Sequence, residues 1–387
     1  MSRILMINVP FAGHTNPTLP LAAALVEAGH QVTYINAEHF REPIESTGIR
    51  FVPYADWPAD LTREEEGHRC FRAIWDTALG LTESFDLLIY EMFFYPGMNL
   101  AERLGLPAVR LFAQPAWCQH PTFGQLVRTH YNCARVERTV MDRSTARHLG
   151  VDHSTLMKTI AASHPALNVV FVPEFFQVDR AGLGDEFVFS APDIGATASA
   201  ISADPAFDDL DLAALPHPRL YISLGSLLEK VTFHRQFIKA LADWPGSVIL
   251  NIGRADRARL GVVPDHIKPF AFVPQLTALE WADVFLTHAG MNSVNEAMAL
   301  GVPMVTLPIV NDEVSNAEQV IGLGVGVSGG RRRINGRALR QAVDQVLADQ
   351  AMAARSAALS REYAAAQHLD QVIARIDAIL ASAGDKG

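Results

Sequence analysis

Around position 288 the chain gathers residue types that suit a nucleoside diphosphate. The run Val284–Thr287 is apolar, reads as a strand and leads into His288; Gly290 follows, and a helix is predicted to begin near Asn292. A strand, a glycine turn and a helix start bring unpaired backbone N–H groups and the positive end of a helix dipole to one point. That is an anion site suited to phosphate. The imidazole of His288 can add a donor. Glu296 stands four residues after Asn292 and three after Ser293, so these side chains share one helix face. A carboxylate there can accept hydrogen bonds from ribose hydroxyls. The same Ser293-x-x-Glu296 spacing also makes a capping box, which needs no ligand, and Gly301 with Pro303 simply ends the helix. On these residues alone the capping box is the stronger reading.

The other candidate is His14, placed just after a short apolar run and just before a helix. A lone histidine is more often a surface or structural residue. Imidazole, however, titrates near working pH and can take the proton of a hydroxyl, which is otherwise a poor nucleophile. Aromatic residues crowd the loop-rich parts of the same half: Trp57, Phe71, Trp75, Phe93, Phe94, Trp117 and Phe123. Packing accounts for most of them. Any of Trp57, Trp75, Phe93 and Trp117 that reach a ligand would shape a pocket for a flat or greasy molecule.

These groups need a scaffold, and the alternation of elements supplies one. Strands are expected over residues 3–9, 31–35, 50–53, 86–90, 108–112 and 168–172. Most gaps leave room for crossover helices. Residues 10–16 read as a loop. Asn16 can cap a helix with Pro17 at its first position, running through Leu21, Leu25 and Val26 to Gly29. The pattern restarts near Pro218, with strands over 219–224, 247–251, 268–273, 283–287, 303–306 and 325–328. The expected fold is α/β: two tandem Rossmann-like, doubly wound parallel domains. Their strand ends would face each other across an interdomain cleft, because ligands bind outside the C-terminal ends of such sheets. Residues 1–200 form the first domain, 201–217 a linker, and 218–365 the second domain. Residues 366–387 form a C-terminal helix able to pack back on the first.

Composition sets the outer limits. The chain has 387 residues and is 49% hydrophobic, enough for two cores, and its formal net charge of -10 disfavours nucleic acid and anionic membrane as partners. The three cysteines, Cys70, Cys118 and Cys133, show no metal-ligand spacing and fit reduced thiols in the cytoplasm. No run has transmembrane length, and the first residues read as a strand, not a signal peptide. Arg331-Arg332-Arg333 and the acids Asp208, Asp209 and Asp211 read as solvated. The glycines from Gly322 to Gly330 do not follow the strand–GxGxxG–helix order of a dinucleotide site.

The order of the second-half residues resembles a known family. Phe272-Val273-Pro274-Gln275, Thr287-His288-Ala289-Gly290-Met291-Asn292-Ser293, Glu296-Ala297, Gly301-Val302-Pro303-Met304, Pro308, Asp312-Glu313 and Asn316-Ala317 match the donor signature of nucleotide-sugar-dependent glycosyltransferases with the two-domain GT-B architecture. The branch most similar glycosylates macrolides and flavonoids in bacteria. The opening residues 8–19 and the stretch 167–173 extend the resemblance over nearly the whole chain.

This resemblance implies a role for each residue. Phe272 stacks near the base and Val273 offers it backbone hydrogen bonds, beside Gln275. His288, Asn292 and Ser293, with the Gly290 turn, hold the diphosphate, and Glu296 holds the ribose. Asp312 and Glu313 face the sugar. Ser226 matches a diphosphate contact, although a helix N-cap explains it equally well, and Arg254 ends a strand on the same edge. His14 matches the catalytic base. The family pairs that base with an Asp, and the matching position here is Glu91, one methylene longer, so a bent rotamer or a backbone shift is needed. Asp86, at the start of that strand, is the next candidate. Many members carry Gln where Glu313 stands, which bears on the choice of sugar.

The implied activity is inverting, metal-independent O-glycosyl transfer. A hexose, glucose in this reading, moves from a UDP-sugar to a hydroxyl of a small apolar natural product, with no cofactor. The protein would be a cytoplasmic monomer or homodimer. A nucleotide-sugar 2-epimerase and a non-catalytic sugar-nucleotide-binding partner protein are the alternatives.

Overall fold

Two separate parallel sheets carry the chain in a computed structural model, which describes residues 1–116, 141–195, 204–225, 231–309, 312–330 and 335–384. The first has seven strands: β1 (Arg3–Ile7), β2 (Gln31–Asn36), β3 (Arg50–Pro53), β4 (Leu87–Glu91), β5 (Ala108–Phe112), β6 (Leu167–Val170) and β7 (Phe187–Phe189). The second has six: β8 (Arg219–Ser223), β9 (Ser247–Asn251), β10 (Ile267–Phe270), β11 (Val284–Thr287), β12 (Met304–Thr306) and β13 (Gly326–Ser328). These strands are short and nearly all apolar. A sheet covered by helices on both faces requires that, because each strand is then buried on both sides.

Strand order explains where chemistry can sit. The first sheet runs β3-β2-β1-β4-β5-β6-β7 and the second β10-β9-β8-β11-β12-β13. In each, the chain winds outward one way and then restarts beside its first strand. The winding therefore reverses between β1 and β4, and again between β8 and β11. At such a reversal the loops leave in opposite directions and open a crevice at the carboxyl strand ends. His14 follows β1 and Glu91 ends β4. Gly225 follows β8 and His288 follows β11.

The chain divides into one unit of Met1–Thr197 with Ala366–Gly387, and another of Ala198–Ala365. The C-terminal helix Leu369–Gly384 places Val372 and Ile376 at 0% exposure in the first core, beside Leu25, Val32 and Leu167. Each such side chain contributes up to about 2 kcal/mol by leaving water. The His30 Nε2 to Asp377 Oδ1 contact of 2.9 Å and the Arg375 bond of 2.7 Å to the Asp185 carbonyl tie the helix down. Among the described residues, no helix is long and apolar enough to cross a membrane.

Three local expectations are corrected. Residues 204–217 are not a linker but part of the second unit. Asp204 caps the turn Pro205–Asp208, Phe207 packs on Phe270, and the Trp281 indole donates to the Leu212 carbonyl at 3.0 Å. Residues 10–16 are not a loop: Ala12–Thr15 is a helical turn, followed by a 3-10 turn Asn16–Thr18 and the helix Leu19–Glu27. Pro17 and Pro20 lack the N–H that a continuous helix needs, so the segment breaks into pieces. Asn16 is itself helical and does not cap the Pro17 turn. Strand β7 has no counterpart in the expected set.

Candidate active site

In the first unit the site begins with Asn8, the residue after β1. Its Nδ2 donates to the His14 carbonyl and to the Tyr34 hydroxyl, each at 2.9 Å, and its Oδ1 accepts the Val9 N–H at 2.8 Å. Thr15 Oγ1 donates to the Val9 carbonyl at 3.3 Å and accepts Asn36 Nδ2 at 3.0 Å. The turn that carries His14 therefore rests on a buried polar network whose members satisfy one another. Burial pushes the Tyr34 hydroxyl up to about 12, so it stays neutral.

Glu91 stands at the end of β4, in register beside β1 through the Ile7–Tyr90 pairing. His14 Nδ1 lies 3.1 Å from Glu91 Oε1, and Glu91 Oε2 accepts the Phe93 N–H at 2.8 Å. The extra methylene is absorbed without loss of the pair, because the carboxylate turns back toward its own strand end. Glu91 is 0% exposed, whereas the His14 side chain is 21% exposed. A carboxylate can only accept, so in a neutral ring the proton belongs on Nδ1, facing Glu91. That is the tautomer a general base requires. The Phe93 ring packs edge-on to the imidazole, with centroids 4.5 Å apart. Asp86 is not the partner: it sits at the far end of β4 and accepts the Arg3 N–H at 2.7 Å.

In the second unit the chain leaves β11 through His288, Ala289 and Gly290 and enters the helix Met291–Leu300. Gly290 is the N-cap and has no side chain to cover the first N–H groups. Ala289 adopts a left-handed backbone at φ 67°; its N–H goes to Thr287 Oγ1 at 3.1 Å and its carbonyl accepts Asn316 Nδ2 at 3.0 Å. The His288 ring lies between two glycines. A Cβ on Gly225, whose φ is 66°, would come within 2.7 Å of the ring, and one on Gly290 within 2.4 Å. Burial lowers the His288 imidazole to about 4, so at neutral pH it can serve as an uncharged hydrogen-bond partner.

Next to this turn, Gln275 Nε2 donates to Ser293 Oγ at 3.0 Å and to the Glu296 carboxylate. The Tyr221 hydroxyl holds Gln275 Oε1 at 3.3 Å. The capping box does not form: Gly290 is the cap, Ser293 is the third residue of the helix, and Glu296 turns to Gln275. Burial pushes the Glu296 carboxyl up to about 7, against the opposing Gln275 bond. Asp312 Oδ2 accepts Asn316 Nδ2 at 2.9 Å, and buried Glu313 accepts the Ile309 N–H at 2.7 Å.

Residues 235–379 match the model of the erythromycin biosynthesis protein CIII-like C-terminal domain. The NDP-glycosyltransferase YjiC of Bacillus subtilis is 28% identical, over 97% of this chain and 97% of its own length. The oleandomycin glycosyltransferase of Streptomyces antibioticus is 30% identical, over 84% of this chain and 78% of its own length. The chain belongs to the GT-B nucleotide-sugar-dependent glycosyltransferases. The crystal structure of the glycosyltransferase of kitacinnamycin superposes with a TM-score of 0.77 at 28% identity, covering 98% of this chain and 99% of that one. The protein is thus a glycosyltransferase of the natural-product type.

In this glycosyltransferase, His14, Glu91 and Phe93 meet at one switch point, and His288 and Gly290 stand at the other, where Asn292 and Ser293 open the helix. Gln275, Ser293 and Glu296 form one cluster. Val273 is buried; Phe272 is half-buried and its carbonyl accepts the Asp204 N–H at 3.0 Å. Arg254 is exposed beyond β9. Trp57 packs edge-on against Tyr54 at 4.9 Å. Trp75 is only 4% exposed, which leaves almost none of its ring for an acceptor. Ser226 and Trp117 lie outside the described residues. Three residues gain importance from the structure: Asn8, Gly225 and Asn316. Asn8 and Asn316 stand inside stretches that carry the family resemblance and Gly225 precedes Ser226, but only coordinates reveal which backbone or ring each holds.

Proposed function

We propose that this glycosyltransferase moves glucose from UDP-glucose to a hydroxyl of a small apolar acceptor, with inversion and without a metal. His14 Nε2 takes the acceptor proton. The alkoxide oxygen bonds to the anomeric carbon as the bond to the diphosphate oxygen breaks on the opposite face. UDP leaves with that electron pair, and Glu91 steadies the imidazolium that forms on His14. The start of the helix Met291–Leu300 and the His288 side chain stabilise the leaving charge. Glu296 and Ser293 take the ribose and diphosphate once Gln275 yields them. Phe93 offers an apolar wall to the acceptor beside His14. A cytoplasmic setting accords with the free, buried thiol of Cys70.

The observation that carries the reading is the His14–Glu91 pair, a buried carboxylate fixing the tautomer of a partly exposed imidazole. The test is an acceptor library incubated with UDP-glucose or dTDP-glucose and read by mass spectrometry, with NMR assigning the anomeric configuration. One added hexose in the inverted configuration is expected. Epimerised sugar from donor alone, or UDP binding with no hexose on any acceptor, would overturn it.

A further inference from the structure

Asn316 lies in the helix Glu313–Gly322 at 0% exposure and makes two hydrogen bonds through one atom. Its Nδ2 donates to the Ala289 carbonyl at 3.0 Å and to Asp312 Oδ2 at 2.9 Å. Its Oδ1 is buried and makes no hydrogen bond. Leaving that oxygen unpaired costs stability. Leucine has nearly the same shape and would avoid the cost. What sets the amide apart is its NH2 group, the only asparagine atom able to give protons to two oxygens.

The two oxygens belong to different parts of the donor site. Ala289 holds a left-handed backbone that a Cβ disfavours, so its neighbours must keep it there. The peptide joining Ala289 to Gly290 is trans, which sets the Ala289 carbonyl and the Gly290 N–H on opposite sides. Anchoring the oxygen on Asn316 therefore aims the Gly290 N–H away from the Asn316 amide, at the start of the helix Met291–Leu300. The second bond limits the rotation of the Asp312 carboxylate.

We propose that Asn316 is a positioning residue that locks the diphosphate turn and the sugar-facing Asp312 into one frame. The inference rests on the donor-site reading above. It makes sugar recognition and diphosphate binding interdependent through a residue that touches neither ligand.

The test compares wild type, Asn316→Leu, Asn316→Ala, Asp312→Ala and the Asn316→Leu/Asp312→Ala pair. Calorimetry measures UDP and UDP-glucose binding, initial rates give the preference for UDP-glucose over UDP-galactose, and melting temperatures are followed. Asn316→Leu is expected to keep the melting temperature, weaken UDP about tenfold, and cut the glucose preference by about tenfold. In the Asp312→Ala background the loss of preference disappears, while the loss of UDP affinity remains. Asn316→Ala shows the same pattern with a lower melting temperature from its cavity. A structural role alone would lower the melting temperature and leave the glucose preference unchanged, and that result overturns the proposal. Wild type that binds neither ligand overturns the donor-site reading itself. Wild type that binds both, with an Asn316→Leu variant indistinguishable from it, overturns only the inference.

Discussion

Glu91 holds His14 with one carboxylate oxygen, 3.1 Å from Nδ1, and is itself held by the Phe93 N–H on the other. The carboxylate is thus fixed on both oxygens, and the imidazole is held through Nδ1. His14→Ala is expected to lower turnover by ~10²–10⁴-fold, the usual worth of a positioned base, with UDP affinity unchanged by calorimetry. Glu91→Asp is the sharper test. It installs the residue that the family resemblance implies there, yet draws the carboxylate back by one methylene from a backbone set for Glu. Turnover is expected to fall, and a variant as fast as wild type would show that the 3.1 Å contact has no catalytic use.

His288 has two glycine walls, and each gives a prediction. Gly225→Ala must tolerate a left-handed backbone, at about 1–2 kcal/mol, and a Cβ 2.7 Å from the ring. Gly290→Ala brings its Cβ to 2.4 Å from His288 Nε2. Both variants are expected to lose about tenfold or more in UDP affinity, since a displaced ring and a shifted turn spoil one anion site. A His288→Ala background supplies the control. With the ring gone, Gly290→Ala is expected to add no further loss of melting temperature. An additional drop there would mean the glycine serves something other than the imidazole.

Much of this was legible in the sequence. Short apolar runs separated by helix-length gaps announce a parallel sheet, and a strand that runs through a histidine–glycine turn into a helix is legible too, because each depends on local residue order. The rest depends on what comes close in space. Ser293 and Glu296 have capping-box spacing, yet Gln275, distant in sequence, claims the carboxylate. Trp75 looks like a ligand-facing aromatic until the helix Arg63–Gly80 buries it. The segment 204–217 lacks periodicity, so its anchoring by Phe207 and the Trp281 indole could not be read from a window of residues. Asn8 and Asn316 act on backbone carbonyls, and one-letter patterns do not show which carbonyl an amide will find.

Leaving-group stabilisation by the chain alone predicts indifference to chelators. The diphosphate charge would meet the helix dipole at Gly290 and the His288 donor, with no cation between them. Glucose transfer is expected to proceed at the same rate in EDTA as in added magnesium or manganese, measured as UDP release. A rate that collapses in EDTA and returns with a divalent ion would remove the metal-free mechanism, while leaving the His14 role standing.

The two shifted groups of the second unit, Glu296 and His288, predict opposite pH slopes. Glu296 is raised from an ordinary 4.5 to about 7. The folded state therefore keeps its proton longer than the unfolded chain, and the associated stability, complete below 4.5, is lost as pH rises through about 7. His288 is lowered from 6.5 to about 4, so its contribution is present above 6.5 and is lost as pH falls toward 4. Without ligand, Glu296→Gln is expected to be more stable than wild type above pH 7 and indistinguishable from it below 4.5. Ligand binding adds a second signature. Ribose hydroxyls donate best to the ionised carboxylate, so UDP affinity in wild type should weaken as pH drops below about 7, by at most ~tenfold per unit. In Glu296→Gln that slope should flatten. Calorimetric titrations from pH 6 to 8 decide the matter: a wild-type affinity constant across that range would mean Glu296 does not receive the ribose.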